Sequence, residues 1–164
     1  GPGSPELPRG REQWLRLMSL LTVVVLRSYG GVIMSFPWKT GAWAWIAALC
    51  VVGGKCIGGF ASDRFGEVRS ATVTLSAAAA ALIFSAFPLP GALGLLLFNM
   101  SMPVTLYAAR DILREGRATA FGLLTLGLFL GMLPAFSGAS GSGQDYAMIC
   151  LISIMLIRVG VGKR

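Results

Sequence analysis

The sequence predicts an all-α membrane protein with six transmembrane helices, and three observations carry that reading. Of 164 residues, 55% are hydrophobic and only 13% charged, with 22 glycines and a mean hydropathy of +0.73, far from the composition of a water-soluble domain. Six apolar segments are separated by short breakers. Those on either side of the first charged turn are each about long enough to cross roughly 30 Å of hydrocarbon as a helix. The basic residues gather on one side of the resulting serpentine, as the positive-inside rule requires of cytoplasmic loops.

Taken in order, residues 1–12 read as a tail, and its opening Gly1-Pro2-Gly3-Ser4 as a protease-cleaved tag remnant without a signal-peptide pattern. A single transmembrane domain is expected over residues 13–162, with residues 163–164 as a cytoplasmic C-terminus. Its first apolar segment runs from Trp14 to Pro37 and its second from Gly41 to Ala61, joined through Pro37-Trp38-Lys39-Thr40. The third runs from Ser70 to Phe87 and the fourth from Gly91 to Ala109, with Pro88-Leu89-Pro90 read as the loop between them. The fifth runs from Ala118 to Ser137 and the sixth from Tyr146 to Val161, separated by the glycine- and serine-rich run 138–143. Trp14, Trp38 and Trp43 fall near the expected interfaces, where an aromatic belt would sit.

Sorted by side, Arg9, Arg11, Arg16, Arg64, Arg69, Arg110, Arg114, Arg117, Arg158, Lys163 and Arg164 share one face, and Lys39 stands alone on the other. That asymmetry places both termini in the cytoplasm and requires an even number of spans, in an inner or plasma membrane. The net charge of +7 therefore belongs to lipid headgroups rather than to nucleic acid. Cys50, Cys56 and Cys150 lie inside apolar segments and read as small packing residues. No histidine is present, no cysteine pair has zinc-ligand spacing, and no phosphate-binding loop occurs. Neither a metal site nor a cofactor is expected. An enzyme would need a nucleophile or an acid/base set, which the apolar segments do not supply.

The ionisable groups inside the spans are the main functional signal. Arg27 lies about 16 Å along a helix from Arg16, close to the bilayer midplane, and Lys55 lies in the second span. A charge at that depth costs several kcal/mol unless it meets water, a partner or a ligand, although the long stem of Lys55 can also reach toward headgroups. All seven acidic residues fall in tails, loops or span ends. Two buried cations without a carboxylate point to an anionic ligand, or to a carboxylate on another chain. Tyr29, Asn99, Ser101 and Thr105 are polar groups at similar depth and complete the candidate substrate site with Arg27 and Lys55. Ser28, Tyr107 and Thr125 lie nearby, and such groups bond between helices more often than to ligands. Gly30-Gly31 and Pro103 are expected to soften or kink the first and fourth spans. Gly53-Gly54, Gly58-Gly59, Gly127 and Gly131 read as small-residue faces for close helix packing.

The charged turn Gly59-Phe-Ala-Ser-Asp63-Arg64-Phe-Gly66-Glu-Val-Arg69 lies between the second and third spans. It resembles the signature loop of the major facilitator superfamily, matched at Gly59, Asp63, Arg64, Gly66 and Arg69. The stretch from Arg110-Asp111 to Gly122 is similar to that family's loop between the fourth and fifth spans. The resemblance implies a gating loop made of these five residues with Arg110, and a gate pair of Asp63 with Arg110. It also implies a fold of two inverted three-helix repeats forming one six-span half of a transporter. Since such halves bind substrate at their mutual interface, a second six-span unit is implied, either another copy or a separate chain. A homodimer about an axis along the membrane normal is the simpler closure. The expected function is a half-size secondary transporter of small anionic solutes, working as a dimer by alternating access. The alternative is an accessory or scaffold subunit that pairs with another six-span chain and does not itself transport.

Overall fold

The computed structural model describes residues 10–112, 117–138 and 140–161, without the side chains of Arg110, Asp111, Arg117, Ala120 and Ala135. Among the described residues all regular structure is helical. The order is α1 (Arg11–Ile33), α2 (Ala42–Phe65), α3 (Glu67–Ile83), α4 (Pro88–Met100), α5 (Met102–Ile112), α6 (Arg117–Met132), a 3-10 turn (Leu133–Ser137) and α7 (Gly143–Val161). Each of the six apolar segments is helical over most of its length, the fourth divided between α4 and α5 and the fifth ending in the 3-10 turn. Among the described residues, four stretches are long and apolar enough to cross a membrane: Arg11–Ile33, Ala42–Phe65, Pro88–Ala109 and Gly143–Val161. The protein is thus an all-α chain with the helices of an integral membrane protein. Large apolar side chains such as Trp45, Leu49, Phe60, Phe129 and Met155 point outward, a surface that suits hydrocarbon and not water.

The third and fifth segments give shorter helices for identifiable reasons. α3 has 17 residues and is capped at Phe84, after which two turns lead into Pro88. α6 stops at Met132 because Pro134 cannot donate a backbone hydrogen bond, and the chain tightens into the 3-10 turn. Pro88-Leu89-Pro90, expected as a loop, instead forms the first turn of α4. Proline is at home there, since the missing N–H would be unsatisfied in any case. The charged turn is also shorter than expected. α2 continues through Asp63 and Arg64 to Phe65, α3 begins at Glu67, and Gly66 alone makes the connection with φ at 85°. That left-handed conformation suits glycine and strains other residues.

Two rows of close helix contact organise the bundle. α4 packs on α2 and α3, α1 packs on α6 and α7, and α3 packs on α7. A side-chain carbon at Gly54 or Gly58 would meet the backbone carbonyls of Leu96 and Met100, so these glycines seat α2 directly against α4. Gly131 sits likewise against the Val25 carbonyl and Ser28, and Gly127 against Val24, seating α6 on α1. Gly53 and Gly59 face open space and take no part in these seats. Both seats place glycines four residues apart on one helix face, a spacing that lets backbones approach closely in membranes.

The end of the bundle near Lys39 is pinned by aromatic residues. Trp38 is a buried core residue there; its Nε1 donates to the Ser85 carbonyl at 2.8 Å, and its ring stacks on Phe36. The Tyr146 hydroxyl sits 2.9 Å from the Ile33 carbonyl and 2.7 Å from that of Gly141, tying α1 to α7 and its preceding connection. Substituting a seat glycine should force the helices apart. Gly58→Leu and Gly131→Leu are each expected to cost about 1–3 kcal/mol of stability, read as a lower melting temperature in detergent. Gly53→Leu should leave that temperature unchanged.

Candidate functional site

A cavity of about 630 Å³ opens between α1, α2, α4, α5 and α6, while α3 and α7 form the back of the bundle and contribute nothing to its walls. Its shape follows from a break in one helix. Pro103 has no N–H to offer the Asn99 carbonyl, and the helix parts at Ser101, whose own N–H reaches that carbonyl instead. The break separates α4 from α5 while keeping Pro88–Ala109 apolar over one span length. α1, by contrast, continues unbroken past Gly30-Gly31 and ends at Ile33, so the expected softening produces no break there.

Four of the six candidate substrate residues meet at this cavity: Arg27, Lys55, Asn99 and Thr105. Tyr29 does not. It is half-buried against the main hydrophobic core, because its place on α1, two residues from Arg27, turns it about 200° away around the helix. Ser101 is fully buried inside the helix break, and its hydroxyl donates to the Phe98 carbonyl at 2.9 Å. It repairs the backbone where Pro103 disrupts it and does not face the cavity.

Arg27 is the most unusual group in the site. It retains only 8% of its exposure, and its Nε and Nη1 are buried without a hydrogen-bond partner among the described residues. The guanidinium carbon lies 5.3 Å from the centre of the Phe98 ring, a cation–π contact. That contact offsets part of the desolvation of the charge but satisfies neither nitrogen. Lys55 is exposed on the α2 wall, and Lys39 stands at the end where α1 and α2 are joined. Measured along the helices from that end, Arg27 lies about 9 Å in on α1 and Lys55 about 20 Å in on α2. Three cations therefore line one cavity at increasing depth. Among the described residues, no aspartate or glutamate lines it.

The neutral polar groups in the walls are mostly occupied by backbone. Asn99 Nδ2 donates to the Leu95 carbonyl, Thr105 to Met102, Thr125 to Phe121, and Ser28 across to Leu128 on α6. The Ser28 bond joins helices, as the statistics of such residues lead one to expect.

Of the gating residues, Gly59 lines the cavity from α2. Asp63, Arg64 and Arg69 are exposed beyond it at the junction of α2 and α3. The Arg110 side chain lies outside the described residues, so the pairing expected with Asp63 does too. Sequence reasoning missed Lys39 and the apolar wall of Val24, Phe98, Leu106, Phe121, Leu124 and Leu128. The signal for Lys39 was present, since it is the single cation of its side. The wall carried none, because in an apolar span a leucine facing a cavity looks like one facing lipid. Cys150 is buried as packing, Cys50 is half-buried and Cys56 exposed.

Comparison with known proteins gives no relative for the chain: no family model, no curated protein and no solved structure matches it.

An uncompensated buried cation makes a distinctive stability prediction. A residue held for structure weakens the fold when replaced, whereas a buried charge without a partner can be exchanged for an apolar residue of similar length at no cost or with a gain. Arg27→Met is expected to leave the melting temperature in detergent equal to or above that of the native chain. A fall well above about 2 kcal/mol in stability would mark Arg27 as a structural residue, since a desolvated ring contact is worth about that much.

Proposed function

We propose that this chain is a six-span half of a secondary transporter for small anionic solutes, working with a second six-span unit by alternating access. The observation that carries the reading is the cavity itself: among the described residues, three cations and no carboxylate surround a space open to a solute, with Arg27 lacking a hydrogen-bond partner at its middle. An anion entering there supplies the acceptors that the chain does not.

The packing pattern supports the architecture. If α4 and α5 are counted as one span, the chain divides into two groups of three, α1 to α3 and α4 to α7. The first helix of each group packs on the second and third helices of the other: α1 on α6 and α7, α4 on α2 and α3. The third helices pack on each other. In each group the second helix is seated by a pair of glycines four residues apart, Gly54 and Gly58 or Gly127 and Gly131. Two inverted three-helix repeats that exchange their second helices would give this pattern, with the first helix of each repeat facing the substrate. On this reading α3 and α6 complete six spans, and the arginine-rich connections lie in the cytoplasm.

A single half leaves Arg27, Lys55 and Asn99 on a face that hydrocarbon would penalise, so the reading includes a second unit over the cavity. A second copy related by a two-fold axis along the membrane normal would put two Arg27 side chains around one central site. The resemblance of the α2–α3 junction to the gating loop of the major facilitator superfamily agrees with rocking of two such bundles.

Purified chain reconstituted alone in proteoliposomes should give saturable uptake of small anions, with a particle mass of two copies once lipid and detergent are subtracted. Arg27→Met is expected to reduce uptake at least tenfold without loss of folded protein. A folded single-copy particle with no flux would overturn the transporter reading in favour of an accessory subunit.

A further inference from the structure

The cavity also constrains what kind of anion it accepts. We propose that it takes an organic carboxylate with an apolar body, the carboxylate on Arg27 and the body against Phe98, Leu106, Phe121, Leu124 and Leu128. This rests on the reading of the cavity as an anion site and narrows it to a substrate class.

Three observations lead to it. The first is size: about 630 Å³ is the room that a drug-sized organic ligand fills, and an inorganic ion would leave most of it empty or wet. The second is the wall, which is largely aliphatic and aromatic between its cations. A solute without apolar surface gains nothing from that wall, whereas a hydrocarbon chain is removed from water along its whole length.

The third is the state of the hydrogen-bond donors. The hydroxyls of Ser28, Thr105 and Thr125 are committed to backbone carbonyls, as is one N–H of Asn99. Apart from its cations the cavity offers, among the described side chains, only the Tyr107 hydroxyl and the second N–H of Asn99, so phosphate or sulfate, which loses many hydrogen bonds to water on entering, would have to replace them from the exposed, hydrated Lys39 and Lys55. A carboxylate needs fewer, and a guanidinium fork matches its two oxygens. Arg27 has that fork in its Nη1–Nη2 edge, where Nη1 is buried without a partner, and its Nε is a further unpartnered donor in the residue that lines the cavity. A turn of the side chain toward the void presents them. Phe98, against whose face the guanidinium already rests, holds the charged and apolar halves of the site side by side.

The test uses the full chain in nanodiscs of zwitterionic lipid, with empty discs as the baseline for partitioning into lipid. Butyrate, hexanoate and octanoate are titrated by calorimetry beside neutral octanamide and inorganic phosphate. Affinity is expected to rise roughly tenfold for each two added methylenes, and octanoate should bind at least tenfold tighter than either octanamide or phosphate. Arg27→Met should abolish the preference for octanoate over octanamide, and Leu106→Asn, on an exposed part of the wall, should flatten the dependence on chain length. Phosphate binding as tightly as octanoate, or no carboxylate binding above empty discs, would overturn the proposal. Discs containing phosphatidylglycerol separate a free solute from a lipid headgroup: unchanged octanoate affinity supports the former, and a tenfold fall overturns it. Octanoate binding without flux in proteoliposomes would uphold this substrate class and sink the transport reading instead.

Discussion

A guanidinium held out of solvent in an apolar bundle, with no carboxylate among the described residues of its cavity, is the constraint around which the site is arranged. Fully desolvating such a charge costs several kcal/mol, and a chain with a net charge of +7 had abundant scope to place it elsewhere. What the bundle offers Arg27 is partial: the face of Phe98 on one side and the cavity on the other. The aromatic face holds the cation without neutralising it. An aspartate there would have stabilised the charge and removed its attraction for a ligand. The arrangement keeps the attraction and leaves the cost unmet by the described residues, which is what the proposed anion site would answer.

The surrounding packing makes the cavity possible. Glycine seats bring α2 onto α4 and α6 onto α1 at backbone distance, so the flanking helices are held near the edges of the bundle and the space between the pairs stays open. Pro103 and the buried Ser101 divide the α4–α5 span at the depth of the cavity, and the Ser101 hydroxyl and N–H repair the carbonyls left free. Irregular backbone of this kind is tolerated at membrane depth only where it is buried in protein or lines a cavity. Here it does both, since Ser101 is buried while Met102 and Pro103 line the wall.

The helical bundle was legible in the sequence because hydropathy and breakers mark apolar helices directly, and each of the six apolar segments is helical, although four stretches are of spanning length among the described residues and the fourth segment is split between α4 and α5. Its ends were less so. Pro88 and Pro90 suggest a loop by composition, yet proline also opens helices, and α4 begins on them. Asp63 and Arg64 suggest a loop by charge, but a helix carries charge at its last turn without breaking, so only Gly66 is left to turn. In the site, Arg27 and Lys55 were conspicuous because charge in an apolar span is rare. Tyr29 and Ser101 were placed with them by depth alone, and depth does not say which side of a helix a residue occupies. The two roles of the glycine pairs were equally hidden, since Gly53 and Gly54 differ only by about 100° of helix rotation, and one of them seats a helix while its neighbour touches nothing.

The spacing of the three cations bears on direction as well as on charge. Lys39 is exposed at one end, Arg27 is buried about 9 Å along α1, and Lys55 is exposed about 20 Å along α2. An anion moving between the ends would meet its least hydrated partner midway and a solvated one on either side. Binding is then strongest where water is most excluded, because the same charge attracts more strongly in a low dielectric. A site that only stored an anion would do as well with one buried cation and no exposed ones. On the proposed reading, exposed cations on both sides of the buried one would give an anion an approach and a departure, and in an alternating-access cycle each end would serve in turn as the entrance.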